Sequence, residues 1–358
     1  MGTGPTLMDV SRLCGLSIYT VSRSLNGRQG VSDEARLRVA AAASELGYVA
    51  NAAAQQLRRN TRNSVAVVTA GTSNNAYYLD LMRGIQRTVD RSGRRVIMAD
   101  VAAEGAYNRS AEDAAVRNLI QIRAAGVIST LTLSKANLKL LHEWEIPVVF
   151  VDSKPPAGSP CPGIFTDNIG AAKAVGRHLA GHGYTSWLLL IYPPVWSSRY
   201  DRELGIRQAA EDAGASLTVI ESPNNSADAR RTLDDYYAST NPQIPRAIIA
   251  GNNPLALGAM QFLKGRNLNV PAEVAIVAFD EFDWAPMIDP ALTVVNEGSE
   301  EIGVIATNVL SRIIDQQTAS DAKGESTRPQ YRNEDNHEVT ADLVVRRSCG
   351  CVEAPESA

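Results

Sequence analysis

Residues 6–26 have the sequence TLMDVSRLCGLSIYTVSRSLN, which predicts two short amphipathic helices joined by a glycine turn. Thr6 is placed to cap the first helix, and Asp9 follows three residues later, at the spacing of a reciprocal capping box. Gly15 provides the turn, and Ser17 is placed to cap the second helix. Two helices joined in this way can place the second one in the major groove of DNA.

The outer face of the second helix is the predicted DNA-contacting surface, because its apolar residues repeat at a spacing of four and face inward. A third helix is predicted to begin at Ser32 and to end at Gly47, which completes an all-α headpiece. Tyr19 and Arg23 are expected to contact base edges. The headpiece residues expected at the DNA are Thr6, Ser17, Ile18, Tyr19, Thr20, Ser22, Arg23 and Asn26.

Residues 48–59, YVANAAAQQLRR, predict a further short helix composed mainly of small residues. It carries one exposed leucine followed by two arginines, a combination suited to wedging open a minor groove. The residues of this hinge segment expected to contact DNA are Asn51, Ala54, Leu57 and Arg58.

The charge distribution also favours a nucleic-acid partner. Residues 1–62 contain eight arginines, no lysine and four acidic residues, which gives a net charge of +4. The rest of the chain has 27 basic and 35 acidic residues, a net charge of −8. A basic head on an acidic body is typical of a protein that binds DNA.

From residue 64 onward, short apolar runs alternate with helical stretches, a pattern that predicts parallel sheets covered on both faces. The chain of 358 residues is long enough for a small head and two lobes, each built on a doubly wound parallel sheet, with a cleft between them. The polar residues 317–340 are predicted to form a solvated loop. The expected strands are residues 65–70, 96–99, 126–130 and 148–151 in the first lobe, and 188–191, 217–220, 247–250 and 274–279 in the second.

Ligands of such sheets bind beyond the carboxyl ends of the strands, and polar or aromatic residues occupy these positions here. The aromatic candidates could each serve in packing instead of contacting a ligand. The segments at the predicted strand ends are residues 71–78, Thr130, Asp152, residues 192–202, Asn252 and Asp280. The aromatic candidates are Tyr77, Tyr78, Trp196 and Trp284.

The headpiece motif, together with the later segments VS, ELGY and NAAAQQLR, resembles the lactose-repressor (LacI/GalR) family of bacterial transcription regulators. The resemblance extends over nearly the whole chain. One departure is Ala50, where the family usually has a proline before the asparagine. The resemblance implies an all-α helix-turn-helix headpiece and an α/β effector domain that is similar to periplasmic binding proteins.

The resemblance also implies domain boundaries. The headpiece is expected at residues 1–48, the hinge helix and linker at 49–62, and the ligand-binding and dimerisation domain at 63–358. Within that domain, the first lobe is expected to comprise residues 63–164 and 294–320, and the second lobe residues 165–291 and the C-terminal segment.

By the same resemblance, Asp152, Arg202, Asn252 and Asp280 line the effector pocket, and the Arg202 guanidinium serves the ligand. This chemistry suits a polyol, because arginine donates two hydrogen bonds at fixed angles and aromatic rings pack on apolar sugar faces. The expected effector-binding residues are Tyr77, Tyr78, Thr130, Asp152, Trp196, Ser198, Arg202, Asn252, Asp280 and Trp284.

These inferences predict a sequence-specific transcriptional regulator, a repressor of a carbohydrate-utilisation operon that responds to a sugar or sugar derivative. A homodimer is expected, since one headpiece contacts only half of a pseudo-palindromic operator. Two alternatives stay open, namely a non-sugar effector such as a nucleobase and a sugar-binding module without a role at DNA. No cofactor is implied. A cytoplasmic location without membrane attachment is expected, because neither an 18-residue apolar run nor a secretory signal pattern occurs.

An enzymatic role is disfavoured. Asp280, Glu281 and Asp283 form an acidic cluster, but neighbours that leave a strand point in different directions, whereas a catalytic carboxylate pair usually comes from separate segments. The sequence also has no G-x-S-x-G, phosphate-loop or G-x-G-x-x-G motif.

No metal site is expected. Cys349 and Cys351 could supply two ligands of a metal site, but no second cysteine pair lies at the spacing found in zinc fingers. His178 and His182 are four residues apart on a predicted helix, yet the glycines that flank His182 favour a position at the helix end.

Overall fold

The chain divides into two compact units, Met1–Arg62 and Asn63–Ala358. Within the described ranges, no helix combines the length and the apolar composition that a membrane crossing needs. The computed structural model describes residues 4–27, 29–49, 62–70, 75–102, 107–194, 196–240 and 243–352.

In the described part of the first unit, residues 4–49 without residue 28 contain three helices held by one small apolar cluster. Each helix begins at its predicted cap, because Thr6, Ser17 and Ser32 each accept a hydrogen bond from the backbone N–H three residues later. The helices are α1 (Leu7–Cys14), α2 (Ile18–Leu25) and α3 (Asp33–Glu45). The buried members of the cluster are Val10, Cys14, Val21, Val39, Ala42 and Ala43.

The second unit is built from alternating strands and helices. From its amino end to the middle these are β1 (Ser64–Thr69), α4 (Ala76–Arg91), β2 (Arg95–Asp100), α5 (Arg109–Gln121), β3 (Gly126–Ser129), α6 (Lys135–Glu143), β4 (Val148–Val151), β5 (Gly163–Thr166), α7 (Asn168–Gly181) and β6 (Ser186–Ile191). They continue with α8 (Ser198–Ala213), β7 (Ser216–Glu221), α9 (Ser226–Thr240), β8 (Ala247–Ala250), α10 (Asn253–Gly265), β9 (Ala275–Phe279), β10 (Thr293–Asn296), α11 (Ser299–Lys323), β11 (His337–Val339) and β12 (Asp342–Val344).

These strands form two six-stranded sheets, each with a buried centre. The first sheet has the order β11-β5-β4-β3-β1-β2, and its strand pairs are parallel. The second has the order β12-β10-β9-β8-β6-β7, and its strand pairs are parallel except β10 with β12. The central strands are apolar runs buried on both faces, as parallel sheets require. The prediction of two doubly wound sheets is therefore confirmed.

The chain crosses between the two sheets three times. The first crossing joins β5 to α7, the second joins β10 to α11, and the third joins β11 to β12. The first and third crossings are bonded together, because the backbone N–H of Asp167 donates to the Val339 carbonyl at 2.9 Å. The two lobes are thus connected by adjacent short segments, which is the arrangement that permits hinge motion.

Three sequence predictions need correction. Residues 294–296 belong to β10 in the second sheet, not to the first lobe, and β11 places residues 337–339 in the first sheet. The segment 317–340 is not a loop throughout, because α11 continues to Lys323. Strand β11 was missed since its partner β5 lies far away in sequence and its own residues, HEV, are mostly polar and exposed.

Helices α4 and α11 pack at close backbone distance on one face of the first sheet. A Cβ atom added at Gly84 would clash with the backbone carbonyl of Glu300, and one added at Gly303 would clash with the carbonyl of Leu81. Each glycine therefore admits the backbone of the other helix. This contact fixes α11 against the first sheet, while the residues just before α11 belong to the second.

Candidate functional site

The exposed side of α2 is the candidate DNA-contacting face. Val21 is completely buried against the other two headpiece helices, which turns the opposite side outward. In the first turn, Ile18 and Tyr19 are 47% and 69% exposed. The hydroxyls of Ser17 and Thr20 lie 2.9 Å apart beside them. The start of α2 therefore presents apolar, aromatic and hydroxyl groups together with the positive end of the helix dipole.

Arg23 and Tyr19 form one ordered pair on this face. The Arg23 Nη1 donates to Tyr19 Oη at 2.9 Å, and the guanidinium carbon lies 5.4 Å from the centre of the tyrosine ring. Its Nη2 donates to the Gln29 carbonyl, so Arg23 is half-buried and not a free side chain. At the helix end, Asn26 donates its side-chain amide to the Ser22 carbonyl at 2.6 Å.

The remaining predicted DNA contacts are at the start of α1 and in the hinge. The Thr6 hydroxyl donates to the Asp9 carboxylate at 2.6 Å, and the Thr6 backbone N–H donates to it at 2.9 Å. These bonds hold the pKa of the Asp9 carboxyl below its ordinary value. The predicted hinge contacts Asn51, Ala54, Leu57 and Arg58 lie outside the described residues.

A pocket lies in the second unit, at the carboxyl ends of the strands of both sheets. The free volume within it is only about 30 Å³, so a sugar-sized ligand requires its walls to move apart. Two carboxylates of its wall, Asp152 and Asp280, directly follow β4 and β9 and have φ angles of 49° and 69°. Such left-handed backbone in a non-glycine residue is uncommon and concentrates at functional sites. The lining residues are Asn75, Tyr77, Tyr78, Thr130, Asp152, Tyr192, Trp196, Ser198, Arg202, Asn224, Asn252 and Asp280.

Arg202 is the most highly connected side chain of the pocket and is only 3% exposed. Its Nε donates to Asn168 Oδ1 at 2.8 Å, and its Nη1 donates to the Gly251 carbonyl at 2.5 Å and to Asp280 Oδ1 at 3.3 Å. Its Nη2 donates to Glu297 Oε1 at 2.8 Å. Four of the five N–H donors of the guanidinium are therefore bonded to described residues.

The partners of Arg202 lie in both of the first two crossings between the sheets. Asn168 begins α7 immediately after the first crossing, and Glu297 follows β10 in the second crossing. The guanidinium carbon also lies 4.4 Å from the centre of the Phe279 ring, at the end of β9. Arg202 thus connects the pocket wall to the segments about which the two lobes can move.

The pocket concentrates more negative charge than Arg202 can neutralise. Burial, followed by the nearby Asp280 carboxylate, raises the pKa of Glu297 well above its ordinary value, although Arg202 opposes this shift. Burial also raises the pKa of Asp152, while Arg202 and the neighbouring Tyr77 hydroxyl, which is too distant for a hydrogen bond of ordinary geometry, act in the opposite direction. A group that donates hydrogen bonds or carries positive charge is therefore favoured in this pocket.

Two buried donors of the pocket have no hydrogen-bond partner among the residues that the structure describes. They are the hydroxyl of Tyr77 and the indole Nε1 of Trp196. Burial and the neighbouring Asp152 carboxylate raise the pKa of the Tyr77 hydroxyl, which keeps it a protonated donor. Buried polar groups nearly always have a hydrogen-bond partner. Two donors without a partner in one pocket therefore indicate a ligand with acceptor atoms.

Polar contacts also join the two lobes around the pocket. Asn253, at the start of α10, donates its side-chain amide to Asn75 Oδ1 at 3.0 Å, and Asn75 caps α4 of the first lobe. Lys154 follows β4, and its Nζ lies 2.7 Å from a carboxylate oxygen of Asp201 in α8. The backbone N–H of Lys154 donates to Ser197 Oγ at 2.7 Å. These contacts hold the lobes together on the pocket side.

Nine of the ten residues predicted to bind an effector line this pocket, and Trp284 is the exception. The Trp284 ring packs on Phe282, with ring centres 4.1 Å apart, so its prediction is corrected to a packing role. Asn75 and Tyr192 were predicted only as parts of the strand-end segments 71–78 and 192–202, and both belong to the wall. Asn224 in the wall and Asn168 and Glu297 behind Arg202 were not predicted.

The acidic cluster after β9 does not form a carboxylate pair. Asp280 faces the pocket and Arg202, whereas Glu281 Oε2 accepts from Arg346 Nη2 at 2.7 Å. Asp283 is exposed. The side chains of successive residues thus point in different directions, as predicted from the sequence.

Comparison with known proteins gives matches to two family models. Residues 62–336 match the model described as periplasmic binding proteins and sugar binding domain of LacI family, and residues 6–51 match the one described as bacterial regulatory proteins, lacI family.

Individual proteins match along most of their length. The ribose operon repressor of Escherichia coli strain K12 is 29% identical over 87% of this chain and 94% of its own. The HTH-type transcriptional regulator DegA of Bacillus subtilis is 27% identical over 83% of this chain and 88% of its own. The crystal structure of the lac repressor dimer bound to operator has a TM-score of 0.74 at 22% identity, covering 97% of this chain and 99% of that one.

Proposed function

This chain belongs to the LacI family of bacterial regulatory proteins, and from that premise we propose that it represses a carbohydrate-utilisation operon under the control of a small sugar. The family assignment makes it a DNA-binding transcriptional regulator and not an enzyme.

The observation that carries the sugar proposal is the pair of unpaired donors, Tyr77 Oη and Trp196 Nε1, facing the same pocket as the Asp152 carboxylate. A sugar hydroxyl both accepts and donates a hydrogen bond, so one ring can satisfy the donors and the carboxylate together. The amides of Asn224 and Asn252 add further polar groups to the wall. The likeness to a ribose operon repressor supports the same class.

We place DNA recognition on the exposed face of α2 and on the hinge segment. Tyr19 and Arg23 are suited to contact base edges as one unit, because the bond between them fixes their relative position. A homodimer would present two such faces to a pseudo-palindromic operator. An operator selected from a random DNA library should therefore contain two half-sites, and the DNA complex should contain two chains when measured by light scattering.

The effector proposal is tested by a thermal-shift screen with pentoses, hexoses, sugar phosphates and nucleobases. A ligand that binds the native protein raises its midpoint of unfolding, so a neutral pentose or hexose should give the largest rise. The same sugar should then lower the affinity for the selected operator in a fluorescence anisotropy titration. If only nucleobases raise the midpoint, the pocket serves a different effector class and the sugar proposal fails.

A further inference from the structure

Two histidines and two cysteines meet at the carboxyl end of α7, away from the effector pocket. One ligating atom from each of His178, His182, Cys349 and Cys351 can be chosen so that all four lie within 4.8 Å of one another. The two pairs are separated by more than 160 residues in sequence, and Cys351 follows His182 by 169 positions. The two pairs share no sequence motif, whereas the fold brings them together.

The helix positions the two imidazoles on one side. His178 lies in the last turn of α7 and His182 is its C-cap, four residues later, with the two ring centres 4.9 Å apart. The Sγ of Cys351 lies 3.3 Å from Nε2 of His182 and 3.9 Å from Nε2 of His178. Cys349 is completely buried, while the other three side chains are partly accessible. A small ion can therefore reach the cluster from solvent.

The backbone between the two cysteines is shaped to present both thiols to the histidines. Gly350 has a φ of 102°, and a Cβ atom there would lie 2.5 Å from the Tyr184 hydroxyl and 3.5 Å from His182 Nδ1. Tyr184 donates to the Cys349 carbonyl at 3.1 Å and stacks on the His182 ring, with ring centres 5.6 Å apart and planes inclined by 17°. One tyrosine thus orients a residue of each pair.

The set of two thiols and two imidazoles matches the chemistry of structural zinc sites. In a tetrahedral site with ordinary Zn–S and Zn–N distances, the S···N edges are about 3.6 Å, and the separations of 3.3 and 3.9 Å from Cys351 lie on either side of this value. Two thiolates and two neutral imidazoles also neutralise a divalent cation. We propose that His178, His182, Cys349 and Cys351 bind one Zn²⁺ ion in a closed tetrahedral site.

Zinc binding at this place fastens the C-terminal segment to α7. The adjoining Ser348 is already anchored in the second sheet, because its hydroxyl donates to the Ile276 carbonyl at 2.7 Å and accepts from the Thr293 N–H at 2.8 Å. The ion extends this anchorage beyond Ser348 to the cysteines. Its binding releases the two thiol protons to solvent, so zinc affinity rises with pH.

The first experiment is metal analysis of the full-length protein. The protein is expressed in medium that contains Zn²⁺ and is analysed after tag removal and gel filtration. We expect about one zinc ion per chain. The chelated protein, reconstituted with Co²⁺ alone, should show the thiolate-to-cobalt charge-transfer band and the intense visible bands of a tetrahedral sulfur-containing site. Absence of stoichiometric zinc, a cobalt spectrum without thiolate bands, or a disulfide between Cys349 and Cys351 in freshly purified protein would each overturn the proposal.

Variants test the assignment of the ligands. Cys351→Ser and His178→Gln should each reduce the zinc affinity by about tenfold or more, while far-ultraviolet circular dichroism stays that of wild type. The matched control is Cys161→Ser, which alters a thiol 3.2 Å from His142 Nε2 elsewhere in the second unit and should retain the metal. Equal zinc content in Cys351→Ser and Cys161→Ser would show that the metal binds elsewhere. The cobalt spectrum of wild type decides the case if a variant fails to fold.

Discussion

At the scale of single residues, Arg202 is both a pocket residue and a structural one. Replacing it by alanine leaves Asp280 and Glu297 buried without their cation. Loss of one partner from a buried ion pair typically costs about 3–5 kcal/mol. We therefore expect Arg202→Ala to lower the free energy of unfolding in urea by about that amount, and not merely to remove a ligand contact.

Arg207→Ala is the matched control for this prediction. Arg207 lies on the same helix, and its ion pair with Glu203 is exposed on the arginine side, so its loss should change stability by less than about 1 kcal/mol. Equal stability of Arg202→Ala and Arg207→Ala would show that Arg202 does not support the fold.

Tyr77 offers a cleaner test of ligand contact, because its hydroxyl has no hydrogen-bond partner among the described residues. Removing this hydroxyl in Tyr77→Phe should leave the ligand-free protein as stable as wild type or more stable, since an unpaired buried group is lost. Effector affinity in isothermal titration calorimetry should fall by about tenfold, the value of one hydrogen bond. Trp284→Phe, outside the pocket, should bind like wild type, whereas wild-type affinity in Tyr77→Phe would exclude the hydroxyl as a contact.

Glu297 makes the stability of the folded protein depend on pH. Its raised pKa means that between its ordinary value of 4.5 and its value in the fold, the folded state holds more protons than the unfolded state. Stability contributed by this group therefore falls as the pH rises through that window. Glu297→Gln keeps an acceptor for Arg202 but cannot ionise.

The measurement is the free energy of unfolding of wild type and Glu297→Gln from pH 4.5 upward. We expect the difference, variant minus wild type, to increase with pH. Taking this difference removes the contributions of other acids to the pH dependence of stability. Among them are Glu112 and Glu273, whose pKa values are lowered. A difference that is constant with pH would mean that Glu297 is ionised throughout this range in the folded protein.

At the scale of elements, the contact between α4 and α11 depends on two glycines. Gly84→Ala places a methyl group against the backbone carbonyl of Glu300, which no side-chain rotation can relieve. Overpacking of this kind costs about 1–3 kcal/mol, which should appear as a lower midpoint in urea unfolding. Gly265→Ala, at the end of α10, meets only an arginine side-chain nitrogen at 3.6 Å and should be neutral or stabilising. Equal effects of the two substitutions would contradict close packing of α4 on α11.

The strands differ in how far the sequence alone reveals them. The central strands were found because a parallel sheet buries each strand on both faces and so gives a continuous apolar run, as in Val148–Val151. Strand β11, with the sequence HEV, has no such signal, because it lies at a sheet edge and is largely exposed. Its assignment depends on pairing with β5, more than 160 residues earlier, and no local pattern encodes that partner.

The candidate pocket was predictable where its residues follow a strand that the sequence reveals. Asp152 and Asp280 directly follow buried strands, and the carboxyl ends of parallel strands share one edge. Glu297 was missed because its strand, β10, was not recognised. The meeting of His178 with Cys351 was missed for a related reason, since the C-terminal segment reaches α7 only through the position of β12 in the second sheet.

At the scale of the whole molecule, a ligand can act on DNA binding only if it favours one arrangement of the lobes. Asp152 and Thr130 belong to the first lobe, and Arg202 and Asp280 to the second, so a ligand that contacts both stabilises the arrangement in which they face each other. The Asn75–Asn253 and Lys154–Asp201 contacts already bias the molecule toward that arrangement. Effector affinity should therefore depend on residues that never contact the effector.

Thermodynamic linkage relates the binding of the effector to the binding of the operator. The effector should change operator affinity, and the operator should change effector affinity, by the same factor, typically about 5–150-fold. Lys154→Gln removes the ion pair with Asp201 and should weaken effector binding by less than about tenfold, because a partly exposed pair contributes modestly. Lys139→Gln, which loses only an exposed pair with Glu143 within one helix, is the control. Both affinities are measured by anisotropy and calorimetry on the same preparations. Unequal factors in wild type would show that the two ligands are not linked through a common pair of states, and equal effector affinities in the two lysine variants would show that the Lys154 contact does not bias the lobes.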